Sequence, residues 1–225
     1  MRLNDHFTKL YVINLSRRPD RYMQALREFN KMGVKVERIE GIDGQTIINS
    51  PMKPGAYGLL LTHIQLLENA IKEQLDNFVI FEDDVQFVDG FNEYFNRKIG
   101  ALPEDWDLLY LGGNHILSVH GFKLITGNTD FEITKDNYKT LDHELCKTPC
   151  TYCAHALAIN STMYEKILNK IKANPTQPID NIMYQLQCEG CNAYTFLPSL
   201  AYQRGSFSNI EGVYVDYSKM KQVNF

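Results

Sequence analysis

The stretch Gly55–Phe87, GAYGLLLTHIQLLENAIKEQLDNFVIFEDDVQF, decides how the fold is read. It begins as a glycine-rich turn leading into a helix, with Leu60, Ile64, Leu67 and Ile71 on one apolar stripe. NFVIFEDDV (Asn77–Val85) follows as a strand rich in β-formers. That strand closes on three carboxylates, Glu82, Asp83 and Asp84. Strand side chains alternate, which puts Glu82 and Asp84 on one face and Asp83 with Phe81 and Val85 on the other. Like charges this close repel, and burial makes the repulsion worse. A divalent cation would offset it. Hard oxygen donors suit Mg²⁺ or Mn²⁺, which keep several waters and take substrate phosphates as further ligands. The plainer reading is a solvated acidic turn.

Working outward, KLYVINL (Lys9–Leu15) reads as a first strand. A helix opened by Ser16 follows, with Met23, Leu26 and Phe29 on one face and Gly33 as its stop. KVERIEGIDG (Lys35–Gly44) is a second strand ending in a turn, and WDLLYLGG (Trp106–Gly113) a fourth. Residues 114–149 lose periodicity and read as an inserted hairpin or a mobile loop over the substrate. CAHALAIN (Cys153–Asn160) is a strand. The next helix is opened by Ser161 or Thr162, with Glu165 able to complete a capping box. QPIDNIMYQLQCEG (Gln177–Gly190) is a short helix, and AYTFLPSLAYQ (Ala193–Gln203) a last strand broken by Pro198. Strands alternating with helices predict one α/β domain over 1–225 with a mixed, largely parallel sheet. Its nucleotide-binding half is expected at about 1–113 and its acceptor-side half at about 114–225. In such sheets ligands bind beyond the carboxyl ends of the strands.

The chain has 225 residues and a net charge of −4, which argues against a broad basic surface and hence against nucleic acid as a partner. It has no run of eighteen apolar residues, so no transmembrane helix is expected. The N-terminus lacks a signal-peptide core and the C-terminus a lipidation signal, which points to a cytosolic chain or a soluble piece of something larger.

The order and spacing of several blocks resemble glycosyltransferase family 25, which includes bacterial lipooligosaccharide (lipopolysaccharide biosynthesis) galactosyltransferases and the enzymes of collagen galactosylation. The blocks are YVINLSRRPDRYMQALREFNKMGVKVERIEGIDG (Tyr11–Gly44), the opening stretch Gly55–Phe87, CAHALAINSTMYEKIL (Cys153–Leu168) and PIDNIMYQ (Pro178–Gln185). Thr62 stands where the family's Gly-x-x-x-Ser-His helix carries serine. Residues 114–149 match poorly. The resemblance implies a GT-A type, Rossmann-like fold, a UDP-sugar donor, a hydroxyl acceptor and transfer with inversion. It also implies Mn²⁺ or Mg²⁺ bridging Glu82 and Asp84 to the donor's diphosphate.

Such a displacement needs a general base besides the metal pair. Asp180, in the first turn of its helix, is the first candidate. The helix N-terminus would favour its ionised form, although capping alone also explains an Asp there. Glu211 is the reserve. Asn14, Arg17, Arg18, Gly58, Thr62, His63 and Asp83 are grouped with the donor nucleotide. Arginine forks suit phosphate, with Arg17 or Arg18 preferred over Arg21, and a charged helix start is the alternative. His63 reads either as a phosphate contact or as a packed core residue, and His155 as a further metal ligand or a core histidine. Cys150-x-x-Cys153 and Cys188-x-x-Cys191 invite a structural Zn²⁺ reading. The 34 residues between the pairs favour disulfides or free thiols, with Cys146 left over. A catalytically silent sugar-nucleotide or glycan-binding domain is the rival reading.

Overall fold

A computed structural model describes residues 2–117, 121–125, 131–134, 136–208, 210 and 212–216. In chain order these form β1 (Lys9–Asn14), α1 (Pro19–Met32), β2 (Glu37–Glu40), α2 (Pro54–Lys72), β3 (Asn77–Glu82), β4 (Val85–Phe87), α3 (Phe91–Lys98), β5 (Leu108–His115), β6 (Lys123–Leu124), β7 (Glu144–Lys147), β8 (Thr151–Asn160), α4 (Tyr164–Ala173), α5 (Ile179–Cys188), β9 (Ala193–Leu197), β10 (Ala201–Gln203), β11 (Ser206–Phe207) and β12 (Tyr214–Val215).

Eight strands make one sheet in the order β2-β1-β3-β8-β5-β9-β7-β6. β1 is parallel to β2 and β3, and β5 to β9, while β8 runs against both β3 and β5. With β7 also reversed, six of the eight strands share one direction, so the mixed, largely parallel α/β sheet expected from the alternation is present. The central strands are apolar throughout because both faces are covered. Leu10, Val12, Val79 and Phe81 pack with Ala25 and Phe29 of α1 and Phe91 and Phe95 of α3. Tyr11, Ile13, Phe78 and Ile80 pack on the other side with α2, α4 and α5. Residues 114–149 supply the β6–β7 hairpin at one sheet edge, over a small cluster that includes Leu117, Phe122 and Tyr138.

Local departures from the sequence reading have physical causes. α1 starts at Pro19, where the missing N–H costs nothing, and its buried residues are Arg21, Ala25, Phe29 and Met32. Met23 is therefore exposed. The apolar pattern misled because the inward face carries an arginine. α4 is preceded by a 3₁₀ turn capped by Asn160, whose side chain accepts from the Thr162 N–H, so neither Ser161 nor Thr162 is the cap. On α2 the buried set is Ala56, Gly58, Leu60, His63, Leu67 and Ala70 with Thr62 and Leu66, and Ile64 and Ile71 flank it.

The loop after β2 is clamped onto α2. A Cβ on Gly44 would lie 1.6 Å from the Pro54 carbonyl oxygen, and one on Gly58 would lie 2.2 Å from that of Ile42. Thr62 Oγ1 accepts from the Ile42 N–H and donates to the Gly58 carbonyl. Neither backbone can make room without parting from the other. Gly44→Ala is therefore expected to cost about 3 kcal/mol or more. Gly100→Ala, where a Cβ meets nothing within 4 Å, should stay within about 0.5 kcal/mol of wild type in urea melts.

Candidate active site

The carboxyl ends of β1, β2 and β3 open into a cleft of about 610 Å³. Its walls bring together Asn14, Arg17, Arg21, the Gly41–Gly44 loop, Thr62, Glu82, Asp83, Asp84, Tyr152, Cys153, Asp180 and Gln203. β8 reaches the same rim by its first residues because it runs backwards through the sheet.

β3 ends at Glu82, and Asp83 and Asp84 form a turn before β4. The alternation of faces therefore stops short of the pair, and Asp83 and Asp84 turn toward one cation. The Arg21 guanidinium lies 2.6 Å from Asp83 Oδ1 and 2.7 Å from Asp84 Oδ2. Asn14 donates to Asp83 Oδ2 at 2.6 Å and to the Arg18 carbonyl at 2.9 Å, while its own Oδ1 accepts from Arg38 at 2.7 Å. Arg21, ranked last of the three arginines from sequence, is thus the one that compensates the acidic turn. Asn14 and Asp83 hold that turn with their polar groups, where a nucleotide contact was expected. Burial still holds the Asp83 carboxyl above its ordinary pKa, against the pull of Arg21 and Asn14.

The other arginines divide. Arg18 turns away to form a two-pronged pair with Asp20, as the charged-helix-start alternative has it. Arg17 stays on the cleft wall, paired with Asp43. Gly58 approaches the Ile42–Gly44 backbone, so its close contact is within the chain. His63 is fully buried under α2 with Nδ1 against the Leu59 carbonyl, which corrects the phosphate-contact expectation in favour of a packed core histidine. Burial pushes its pKa down to about 4.

Two carboxylates keep an oxygen with no partner. Asp84 Oδ1 and Asp180 Oδ1 are buried and make no hydrogen bond. Asp180 stands in the first turn of α5 and accepts from the Ala154 N–H. The helix N-terminus was expected to keep it readily ionised, yet desolvation prevails and pushes its pKa up to about 6. The Glu82 carboxyl is raised well above its usual value, first by burial and then by Asp84 and Asp180. Four carboxyls, Glu82, Asp83, Asp84 and Asp180, meet in this cleft with Arg21 paired to Asp83 and Asp84, and hard oxygen donors with unused lone pairs fit a divalent cation. Among the described residues no three His, Cys, Asp or Glu side chains are grouped closely enough to hold a metal by themselves, so water and a ligand's phosphate would have to complete the shell. His155 does not join Glu82 and Asp84 in such a group. Glu211 lies outside the described residues.

A family model described as glycosyltransferase family 25 (LPS biosynthesis protein) matches residues 47–183, more than half of the chain. The chain belongs to glycosyltransferase family 25. Within the family, 137 residues are 29% identical to the mouse protein named inactive glycosyltransferase 25 family member 3, covering 49% of this chain and 22% of that one. Mouse procollagen galactosyltransferase 2 is 28% identical over 133 residues, covering 47% of this chain and 21% of that protein. The procollagen lysyl hydroxylase and glycosyltransferase of Acanthamoeba polyphaga mimivirus is 28% identical over 218 residues, which is 84% of this chain and 22% of the viral protein. This family 25 chain therefore spans less than a quarter of these relatives' length. Among its described residues no helix is long and apolar enough to cross a membrane.

All five cysteines are free thiols, and Cys150, Cys153, Cys188 and Cys191 do not gather into a group able to hold a metal. Cys188 is exposed. Burial pushes the thiols of Cys150 and Cys191 up to about 11 and about 12, and those of Cys146 and Cys153 higher still. Since the thiolate is the nucleophile, a thiol reagent at pH 8 is expected to label Cys188 first and the other four upon unfolding. Fast labelling of two or more thiols in the native protein would contradict this arrangement.

Proposed function

We propose that this chain is a hexosyltransferase. It moves galactose or glucose from a UDP-sugar to a hydroxyl on a glycan, glycolipid or protein, with inversion at the anomeric carbon. The observation that supports this most is the convergence of Glu82, Asp84 and Asp180 on one cleft beyond the strand ends, with unpartnered oxygens on Asp84 and Asp180. Glu82 and Asp84 would hold Mn²⁺ or Mg²⁺, with Arg21 fixing Asp84 Oδ2 and leaving Oδ1 for the ion. When bound, that ion supplies Lewis-acid stabilisation of the departing diphosphate.

Asp180 acts as general base. A carboxyl titrating near 6 is largely ionised at neutral pH and still basic enough to accept a proton in the transition state. It takes the acceptor hydroxyl's proton as that oxygen bonds to the anomeric carbon and the bond to the diphosphate breaks on the opposite face. Arg17 and the clamped Gly41–Gly44 loop flank the same cleft and offer charge and backbone groups to the nucleotide.

A silent sugar-nucleotide-binding domain is the second reading, favoured by relatives whose names carry the word inactive. Hydrolysis of UDP-galactose and UDP-glucose with and without Mn²⁺ separates the two. The enzyme reading expects slow Mn²⁺-dependent release of UDP that vanishes with EDTA, whereas binding without release would leave the silent reading standing.

A further inference from the structure

Adjoining the cleft is a smaller chamber of about 130 Å³, lined by Val88, Gly113, His143, Pro198, Ser199 and Ala201 among others. Asn114, Cys153 and Gln203 line both spaces. The space is about ten times what a single water requires, on the scale of one sugar ring.

Its walls are built with unusual backbone. Between the pairs Gly112–Ala156 and Asn114–Tyr152, β8 carries extra residues, a bulge that re-aims Cys153 and His155. Among the described residues, Cys153 (φ 69°) and His143 (φ 50°) are two of the four non-glycine residues held at positive φ, and both line this chamber. Such outliers persist where the surroundings enforce them, and they collect at ligand sites. A Cβ on Gly112 would lie 2.2 Å from the Ala201 carbonyl and 2.6 Å from His155 Nε2, so glycine is what lets β5 pass so close.

His155 is 4% exposed and lines the chamber; neither of its ring nitrogens makes a hydrogen bond of good geometry, and the Ala201 backbone is the group that draws on the ring. Burial lowers its pKa, against the pull of Asp84 and the Ala201 backbone, so the ring is neutral, with one donor and one acceptor nitrogen. A hydroxyl is likewise donor and acceptor at once. Among the described residues the lining contains no lysine or arginine, which disfavours a phosphate or carboxylate occupant.

From the cavity, its bulged walls and the under-satisfied imidazole, we infer that the chamber is a hexose subsite in which His155 reads a ring hydroxyl, with Asn114 and Gln203 beside it. The assignment of the hexose to a transfer reaction rests on the function proposed above, but the presence of a sugar-binding chamber does not.

The test uses the whole chain, wild type, His155→Phe and Gln203→Leu. Phenylalanine keeps the ring volume and removes both nitrogens. Gln203→Leu changes a half-buried side chain of the lining and guards against a folding failure at the buried site. Saturation-transfer NMR with free galactose is expected to give ring-proton signals with wild type. His155→Phe should weaken them about tenfold while its UDP affinity stays within about twofold, and Gln203→Leu, on the wall shared with the nucleotide cleft, should reduce them. Competition then tells the source of the sugar. If UDP-galactose, but not UDP, abolishes the free-galactose signal, the chamber takes the donor's hexose. If the signal survives saturating UDP-galactose, it takes the acceptor's. Wild-type UDP binding without any free-sugar signal, or equal signals in wild type and folded His155→Phe, would overturn the subsite. Sugar signals without UDP binding would keep the subsite and sink the nucleotide reading.

Discussion

Arg21→Gln is expected to lower the melting temperature by about 6–20 °C, because removing one partner of a buried ion pair costs about 3–5 kcal/mol and each kcal/mol is about 2–4 °C in a chain of this size. Arg21 is buried between Asp83 and Asp84, and its guanidinium is the positive charge in contact with both. Glutamine keeps a donor but no charge, so two desolvated carboxylates are left facing each other, with Glu82 beside them. Mn²⁺ at millimolar concentration should raise the melting temperature of Arg21→Gln more than that of wild type, since a ligand stabilises whatever native state it binds and the variant's turn has lost its resident cation. Differential scanning calorimetry with and without Mn²⁺ reads both effects. A variant melting within about 2 °C of wild type would mean that these carboxylates do not need the guanidinium, against the spread predicted from buried pairs.

Asp84→Asn should do the opposite, sparing the fold and removing the chemistry. Arg21 keeps Asp83 at 2.6 Å, and one source of repulsion on Glu82 disappears, so stability should hold or rise. Turnover of a UDP-hexose is expected to fall at least about a hundredfold, because Lewis-acid stabilisation contributes several kcal/mol and each 1.36 kcal/mol is tenfold in rate. KM for the donor should rise as well, since the proposed ion would also hold the donor's diphosphate. A variant with turnover within tenfold of wild type would remove Asp84 from the metal site.

Much of the architecture is written in local pattern. The unbroken apolar run Phe78–Phe81 marks a strand covered on both faces, and the apolar periods of α2, α4 and α5 mark their buried sides. The acidic triplet drew notice because charges at the end of an apolar strand stand out, and Asp180 because it lies in a helix's first turn within a block resembling the family's. What pattern does not carry is pairing across distance. Arg21 lies 63 residues from Asp84, and in the sequence it looks like one more charge in a solvated helix start. Its burial depends on a turn that the sequence reading kept as strand. His63 has the opposite history. It sits in a block resembling the family's helix motif, but its position in the helical period points it into the core. The chamber beside His155 was illegible because a β-bulge is a mismatch between two strands, and neither strand alone records it.

Calorimetric titration of wild-type protein with UDP and UDP-galactose, in Mn²⁺ and in EDTA, tests the central claim most directly. The account predicts saturable binding of both nucleotides that weakens at least about tenfold in EDTA, the loss expected when a metal ion that bridges protein and phosphate is withdrawn. Folded protein that takes up neither nucleotide in either buffer, or binds them equally well in both, would contradict a cation shared between Glu82, Asp84 and the diphosphate.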